Sequence, residues 1–342
     1  MINSEFKLNL AKVLYIFNVT NIHISGYLVI FGENIKMKRK IVKHGPSSLT
    51  ISLPAKWVKK QHITAGDELE LEEEGSSLRI LSKPKIPKEL EINLDLSDSG
   101  VMLSRAIVAI YKAGFDKANI TYNATKELET IQNTIDRSCH AFEIMNIKKH
   151  VVEIKAISQL DHSEFNNILR KSAHAIEIIS QEVLDTMKSE DYDSLPELIL
   201  KDRLVDRHTD FCRRLLNQGY DVRPKKKGPL YTIIEQTEIG SDIFKIISRE
   251  LIKTKKKPSN QIITLFESIN KLIMKMYNTF FDFDIMKMKE IGTIEINIRK
   301  QIDLICNSTK KDIKLLAYLI NLFETIFELK SAILTYHLSE NK

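Results

Sequence analysis

Cysteine is scarce in this chain of 342 residues: Cys139, Cys212 and Cys306 are the three present, widely separated and odd in number. That excludes a disulfide framework and a cysteine-rich zinc site, and leaves core or incidental thiols in a reducing cytoplasm, the expected location. Glycine and proline are also few, eleven and eight, and the abundance of Ile, Leu and Lys favours helix through most of the chain. No apolar run reaches the roughly 18 to 20 residues of a membrane span; Val13–Phe17 and Tyr27–Phe31 stop well short. Glu5 in the charged start, with no small-residue cleavage site after it, argues against a secretory signal. There is no glycine-rich phosphate loop, no nucleophile beside a base, and no metal-type spacing among the nine histidines, His174 and His208 included. The reading is a non-enzyme of several domains.

What is present begins with charge. The net charge of +6 is modest, so the basic character is local. Between Met37 and Lys60 stand Lys38, Arg39, Lys40, Lys43, Lys56, Lys59 and Lys60 with no acid, and Asp67 to Glu74 then supplies six carboxylates. A basic rim of this kind would face a polyanion; if that polyanion is DNA, these side chains neutralise phosphates, which positions a protein without specifying sequence. Lys40 to Lys43 alternates, Gly45 to Ser48 makes a turn, and Leu49 to Leu53 alternates again. Pro54 heads a short helix over Ala55 to Gln61, Ile63 to Asp67 turns, and Leu69, Leu71, Leu78 and Ile80 mark two further strands around Glu73–Ser76. Fewer than 50 residues arranged so enclose little core, and a second copy is the economical remedy.

Lys43-His44-Gly45, then Ser47 through Pro54, Trp57 and Gly66-Asp67-Glu68-Leu69 follow an order that resembles the AbrB/MazE-type swapped-hairpin DNA-binding domain. The resemblance implies a homodimer in which two chains interlock their hairpins and present a basic surface to DNA. A small all-β domain whose lysines are merely solvated is the alternative.

The remaining chain divides by texture. Residues 1–36 read as an added extension of unclear role, with a translation start placed too early as one explanation; 37–83 hold the hairpin domain. Lys83 to Lys88 is a proline-punctuated linker. Residues 88–158 read as a small α/β connecting or dimerising unit: strand Leu90–Leu94, helix Val101–Ala113 ended by Gly114, strand Ala118–Tyr122, helix Lys126–Phe142, strand Val151–Ile157. Residues 160–338 read as all-α, with six helices at about 163–189, 193–217, 229–253, 259–281, 284–306 and 310–338. The connections Gly219–Gly228 and Thr254–Pro258 carry Lys225 to Lys227 and Lys255 to Lys257, which either touch nucleic acid or a membrane surface or are solvated runs.

Acid pairs four residues apart recur on these helices: Asp202 and Asp206, Glu238 and Asp242, Glu324 and Glu328. That spacing sets both carboxylates on one helix face, where they repel unless a cation offsets them. A divalent or transition metal ion is the candidate, against the alternative of an ordinary solvated face. The helical half resembles the PhoU family, in which two three-helix bundles related by an internal repeat carry such motifs and can bind metal. Thr293 and Asn297 stand where the resemblance would put the missing carboxylates, so one metal site is expected and a second is in doubt. Together the two resemblances match an archaeal phosphate uptake regulator: a cytoplasmic, dimeric, DNA-binding transcriptional regulator with a metal-binding sensor. The alternative is a regulator that does not bind DNA and docks on the phosphate transporter ATPase or a signalling partner.

Overall fold

A computed structural model describes residues 38–45, 48–74, 77–81, 89–158, 162–220, 222, 224–308 and 312–339. The amino-terminal extension, the linker and the tips of both hairpins lie outside the described residues.

The first described unit is two separate antiparallel hairpins flanking a short helix. Strand β1 (Val42–His44) pairs with β2 (Ser48–Thr50) in the register Val42↔Thr50, Lys43↔Leu49, His44↔Ser48. Gly45 follows at a φ of +77°, a conformation that glycine adopts without a Cβ penalty. Helix α1 (Ala55–Lys60) starts after Pro54, whose carbonyl accepts from the Val58 amide at 2.9 Å. Asp67 then folds back on the Thr64 amide at 2.7 Å, closing a turn. β3 (Glu70–Glu74) pairs with β4 (Ser77–Leu81), setting Leu71 opposite Ile80.

The second unit is a four-stranded sheet in the order β5 (Glu91–Asp95), β6 (Lys117–Thr121), β8 (Val151–Ala156), β7 (Phe142–Lys148), with β5 and β6 parallel and the other pairs antiparallel. Helices α2 (Met102–Lys112) and α3 (Thr125–Ser138) supply Leu103, Ile107, Ile131 and Ile135 to a core shared with Ala118, Ile120, Val152 and Ile154. Sequence periodicity carried the second helix to Phe142; it ends instead at Ser138, and the chain turns through Ala141 at a φ of +62° into β7. A register shift between Ile144 and Asn146 explains why that strand is hard to read, since a bulge breaks the two-residue period; Met145 and Ile147 are both exposed.

Six helices form the rest: α4 (Phe165–Ser189), α5 (Leu195–Asn217), α6 (Pro224–Thr254), α7 (Asn260–Phe281), α8 (Ile285–Ser308) and α9 (Ile313–Leu338). α4, α5 and α6 pack on one another, as do α7, α8 and α9, and the two triplets join where α6 lies along α9 and α4 along α7. One apolar core runs through both triplets. Gly240 marks the tightest point: a Cβ there would meet Ile176 Cδ1 of α4 at 2.9 Å and Ile326 Cδ1 of α9 at 3.4 Å. α6 starts five residues earlier than its pattern suggested, so Lys225 to Lys227 sit in its first turn rather than in a loop, and Pro229 lies within the helix. None of the helices among the described residues is long and apolar enough to cross a membrane.

Candidate functional site

The amino-terminal arm exposes cations and apolar side chains together. Lys38, Arg39, Lys40, Lys43, Lys56 and Lys59 are all exposed, and none forms an ion pair among the described residues; Lys60 belongs to the same helix as the last two. Beside them Ile41 is 66 % and Leu49 71 % exposed, and Val42, Ile51, Leu71 and Leu78 are exposed too. The pairing of Lys43 with Leu49 puts cation and leucine side by side on one hairpin face. A single copy therefore leaves apolar strands bare in water, which is costly unless something covers them.

The acid pairs meet different fates. Asp202 and Asp206 on α5 and Asp242 on α6 come together, with ligand oxygens all within 4.8 Å of one another. Asp202 is 4 % exposed; its Oδ1 accepts from Ser241 Oγ at 2.7 Å and its Oδ2 from Lys245 Nζ at 2.5 Å. Lys245, one turn beyond Asp242, also donates to Asp242, so its ammonium bridges the two helices. Burial pushes the Asp206 carboxyl up to about 7, aided by Asp202 and Glu238 and opposed by Lys245. Three convergent carboxylate oxygens fit a hard cation in number and spacing. A metal would have to displace or share with the lysine ammonium that two of them already hold.

Glu238 is turned away to Arg213. In the second triplet, Glu324 is bound by Arg299 at 2.9 Å, Glu328 is exposed, and neither joins the group around Asp202. Arg299 also binds Glu295 at 3.0 Å, and Thr293 and Asn297 face solvent. Glu295 and Glu324 are thus offset by a guanidinium, which keeps its proton under all ordinary conditions.

Two buried arginines went unnoticed in the sequence. Arg213 is fully buried and takes Asp210 at 2.8 Å, Glu235 at 3.1 Å and Glu238. Arg214 points the other way, donating to the carbonyls of Tyr111 at 3.0 Å and Phe115 at 2.6 Å and to Asp116 at 3.0 Å, with its guanidinium beside the rings of Tyr111 and Phe142. Their signal was an Arg-Arg pair inside the apolar stretch Phe211 to Leu216, where a solvated position is not expected.

Lys226 is buried against the Tyr336 ring at 4.4 Å, Lys255 faces Asp193 at 3.4 Å, and Lys257 binds Glu190 at 3.2 Å. His174 is exposed with Glu177 at 3.4 Å, while burial first, then Lys171 and Arg207, hold His208 below its ordinary value; neither joins the acid group.

The arm is thus a paired-hairpin module with a basic rim. Residues 42–92, which span both hairpins, α1 and the first two residues of β5, match the family model for antidote-toxin recognition MazE, the bacterial antitoxin. Neither the comparison with curated proteins nor that with solved structures gave a match.

Proposed function

We propose that this protein is a DNA-binding regulator, not a catalyst, which grips the duplex backbone through a homodimer of its amino-terminal module. The observation that carries this reading is the juxtaposition of exposed unpaired cations with exposed apolar strands inside the segment that matches the MazE model. Apolar strands call for a second copy, and doubling the module doubles the positive charge on one particle.

The finer reading is regulation of phosphate uptake, with the helical part as a PhoU-like sensor. It is supported by the paired helix triplets and by the acid pairs on α5 and α6. Asp202, Asp206 and Asp242 are the residues proposed to hold a divalent or transition metal ion, which would cross-link the two helices by charge. Glu238, Glu324 and Glu328 are left to their arginine neighbour or to solvent.

Fluorescence anisotropy with a labelled duplex tests the main reading. The triple variant Lys43→Ala/Lys56→Ala/Lys59→Ala is expected to bind DNA at least tenfold more weakly than the parent, since each lost phosphate contact removes part of the counterion-release drive. Equal binding by parent and variant contradicts the assignment. Absence of binding by both favours the second reading, docking on a transporter ATPase or signalling protein.

A further inference from the structure

The sheet of the α/β unit has two edge strands, β5 and β7. Every second backbone N–H and C=O of an edge strand points away from its sheet, where another strand can take it up. The two edges are guarded differently. In β5 the exposed residues are Glu91, Asn93 and Asp95, so a second copy laid antiparallel about Asn93 would set Glu91 against Asp95, like charge on like. That edge repels its own copy.

β7 is built the other way. Its main neighbours are β8 and α3, and every residue from Met145 to Lys148 is exposed, Met145 at 54 % and Ile147 at 53 %. The register with β8 passes from Ile144↔Ile154 to Asn146↔Glu153, so Met145 is the extra residue of the bulge and drops out of the ladder. Glu143, Ile144, Asn146, Ile147 and Lys148 remain. Ile144 and Ile147 stand opposite Ile154 and Val152, both buried in the core, and share the face on which α2 and α3 pack. Glu143, Asn146 and Lys148 stand opposite Lys155, Glu153 and Val151 and share the other face.

We propose that β7 pairs with β7 of a second copy, antiparallel across a two-fold axis at Asn146, and so joins two four-stranded sheets into one. The pairing sets Glu143 against Lys148 of the second copy, twice by symmetry, and Ile144 against Ile147 on the core face. Asn146 meets itself, and its amide both donates and accepts. A bulge on an edge often turns that edge away from other strands. Here, without it, Ile144 and Ile147 would point to opposite faces and the match would fail.

This pairing rests on the homodimer of the amino-terminal module proposed above. So short a ladder buries well below the roughly 1,000 Å² that a free-standing interface needs, and β7 alone does not hold two chains together at micromolar concentration. Residues 82–88 tether each α/β unit within at most about 24 Å of its module. Once the modules have joined, one edge therefore meets the other at an effective concentration toward millimolar. The α/β unit closes a dimer that the module starts.

Disulfide trapping on the full chain tests it, with the exposed Cys306 replaced by Ser in every variant. Glu143→Cys/Lys148→Cys is expected to give a disulfide-linked dimer on a non-reducing gel after mild oxidation. Either single variant gives about tenfold less, since equivalent positions lie roughly 13 Å apart along the pair, beyond the reach of a disulfide. Lys148→Glu sets like charges together and is expected to speed amide exchange over residues 143–148 about tenfold. If the parent sediments as a dimer and the double variant cross-links no better than the singles, or Lys148→Glu changes nothing, the edge pairing is overturned while the module's dimer stands. A parent that sediments as a monomer removes the module's dimer instead. Trapping is then repeated at about millimolar chain, the concentration the tether would have supplied, and a double variant that still does not cross-link overturns the edge pairing too.

Discussion

Asp206 is the residue whose environment speaks most plainly. Its carboxyl is pushed up to about 7, chiefly by burial, from an ordinary value of 3.8. An acid whose folded value exceeds its unfolded one favours the fold while protonated. That contribution is complete below about pH 4 and is lost as pH rises to 7. Asp206→Asn, permanently uncharged, is therefore expected to stabilise the metal-free protein by about 2 to 4 kcal/mol at pH 8 and hardly at all at pH 4. Urea unfolding at the two pH values checks this; equal effects at both would mean that Asp206 is solvated. Arg214 yields the opposite sign. Arg214→Met takes a buried donor from the Tyr111 and Phe115 carbonyls and from Asp116, which keeps Gln218 and the Leu90 amide, and about 1 to 3 kcal/mol of stability should go with it, visible as a lowered Tm.

At the scale of elements, two helical glycines, Gly240 and Gly292, make a matched pair. Gly292 of α8 has open space where a Cβ would go, and Gly240 of α6 does not. Gly292→Ala should gain the helix-propensity difference of about 0.5 to 1 kcal/mol, whereas Gly240→Ala should lose it again to the clash with Ile176 and come out neutral or destabilised, by thermal melts of the two variants. These elements also show how far the residue pattern reaches. Periodicity placed the six long helices within a few residues, except that α6 opens at Pro224, because Gly228-Pro229 looks like a stop when it lies inside the helix, just past its first turn. It lost β7, because Phe142 and Ile144 alternate for only three residues before the bulge. The acid group was legible because spacing reports which side chains share a helix face. Lys245, Ser241 and Arg213 were not, because which face meets which neighbour is decided by packing between helices, and no spacing within one helix encodes it.

At the scale of the whole molecule, an amino-terminal module with exposed apolar strands shares a chain with a helical body whose buried Arg214 reaches into the α/β unit. Leu49→Glu/Ile51→Glu puts two carboxylates on a hairpin face that is bare in one copy. By sedimentation velocity the parent should run as a dimer and this variant as a monomer; a parent that stays monomeric at micromolar concentration would remove the need for a partner chain. Dimerisation and DNA contact are then one event, since the second copy both covers the apolar strands and adds its cations.

The most direct measurement of that claim is the salt dependence of duplex affinity for the parent and for Lys43→Ala/Lys56→Ala/Lys59→Ala. The account predicts that log K falls linearly with log salt for the parent, with a slope of about −0.9 per phosphate neutralised, and that the variant's slope is distinctly shallower. A parent slope near zero, or an identical slope in the variant, would contradict it.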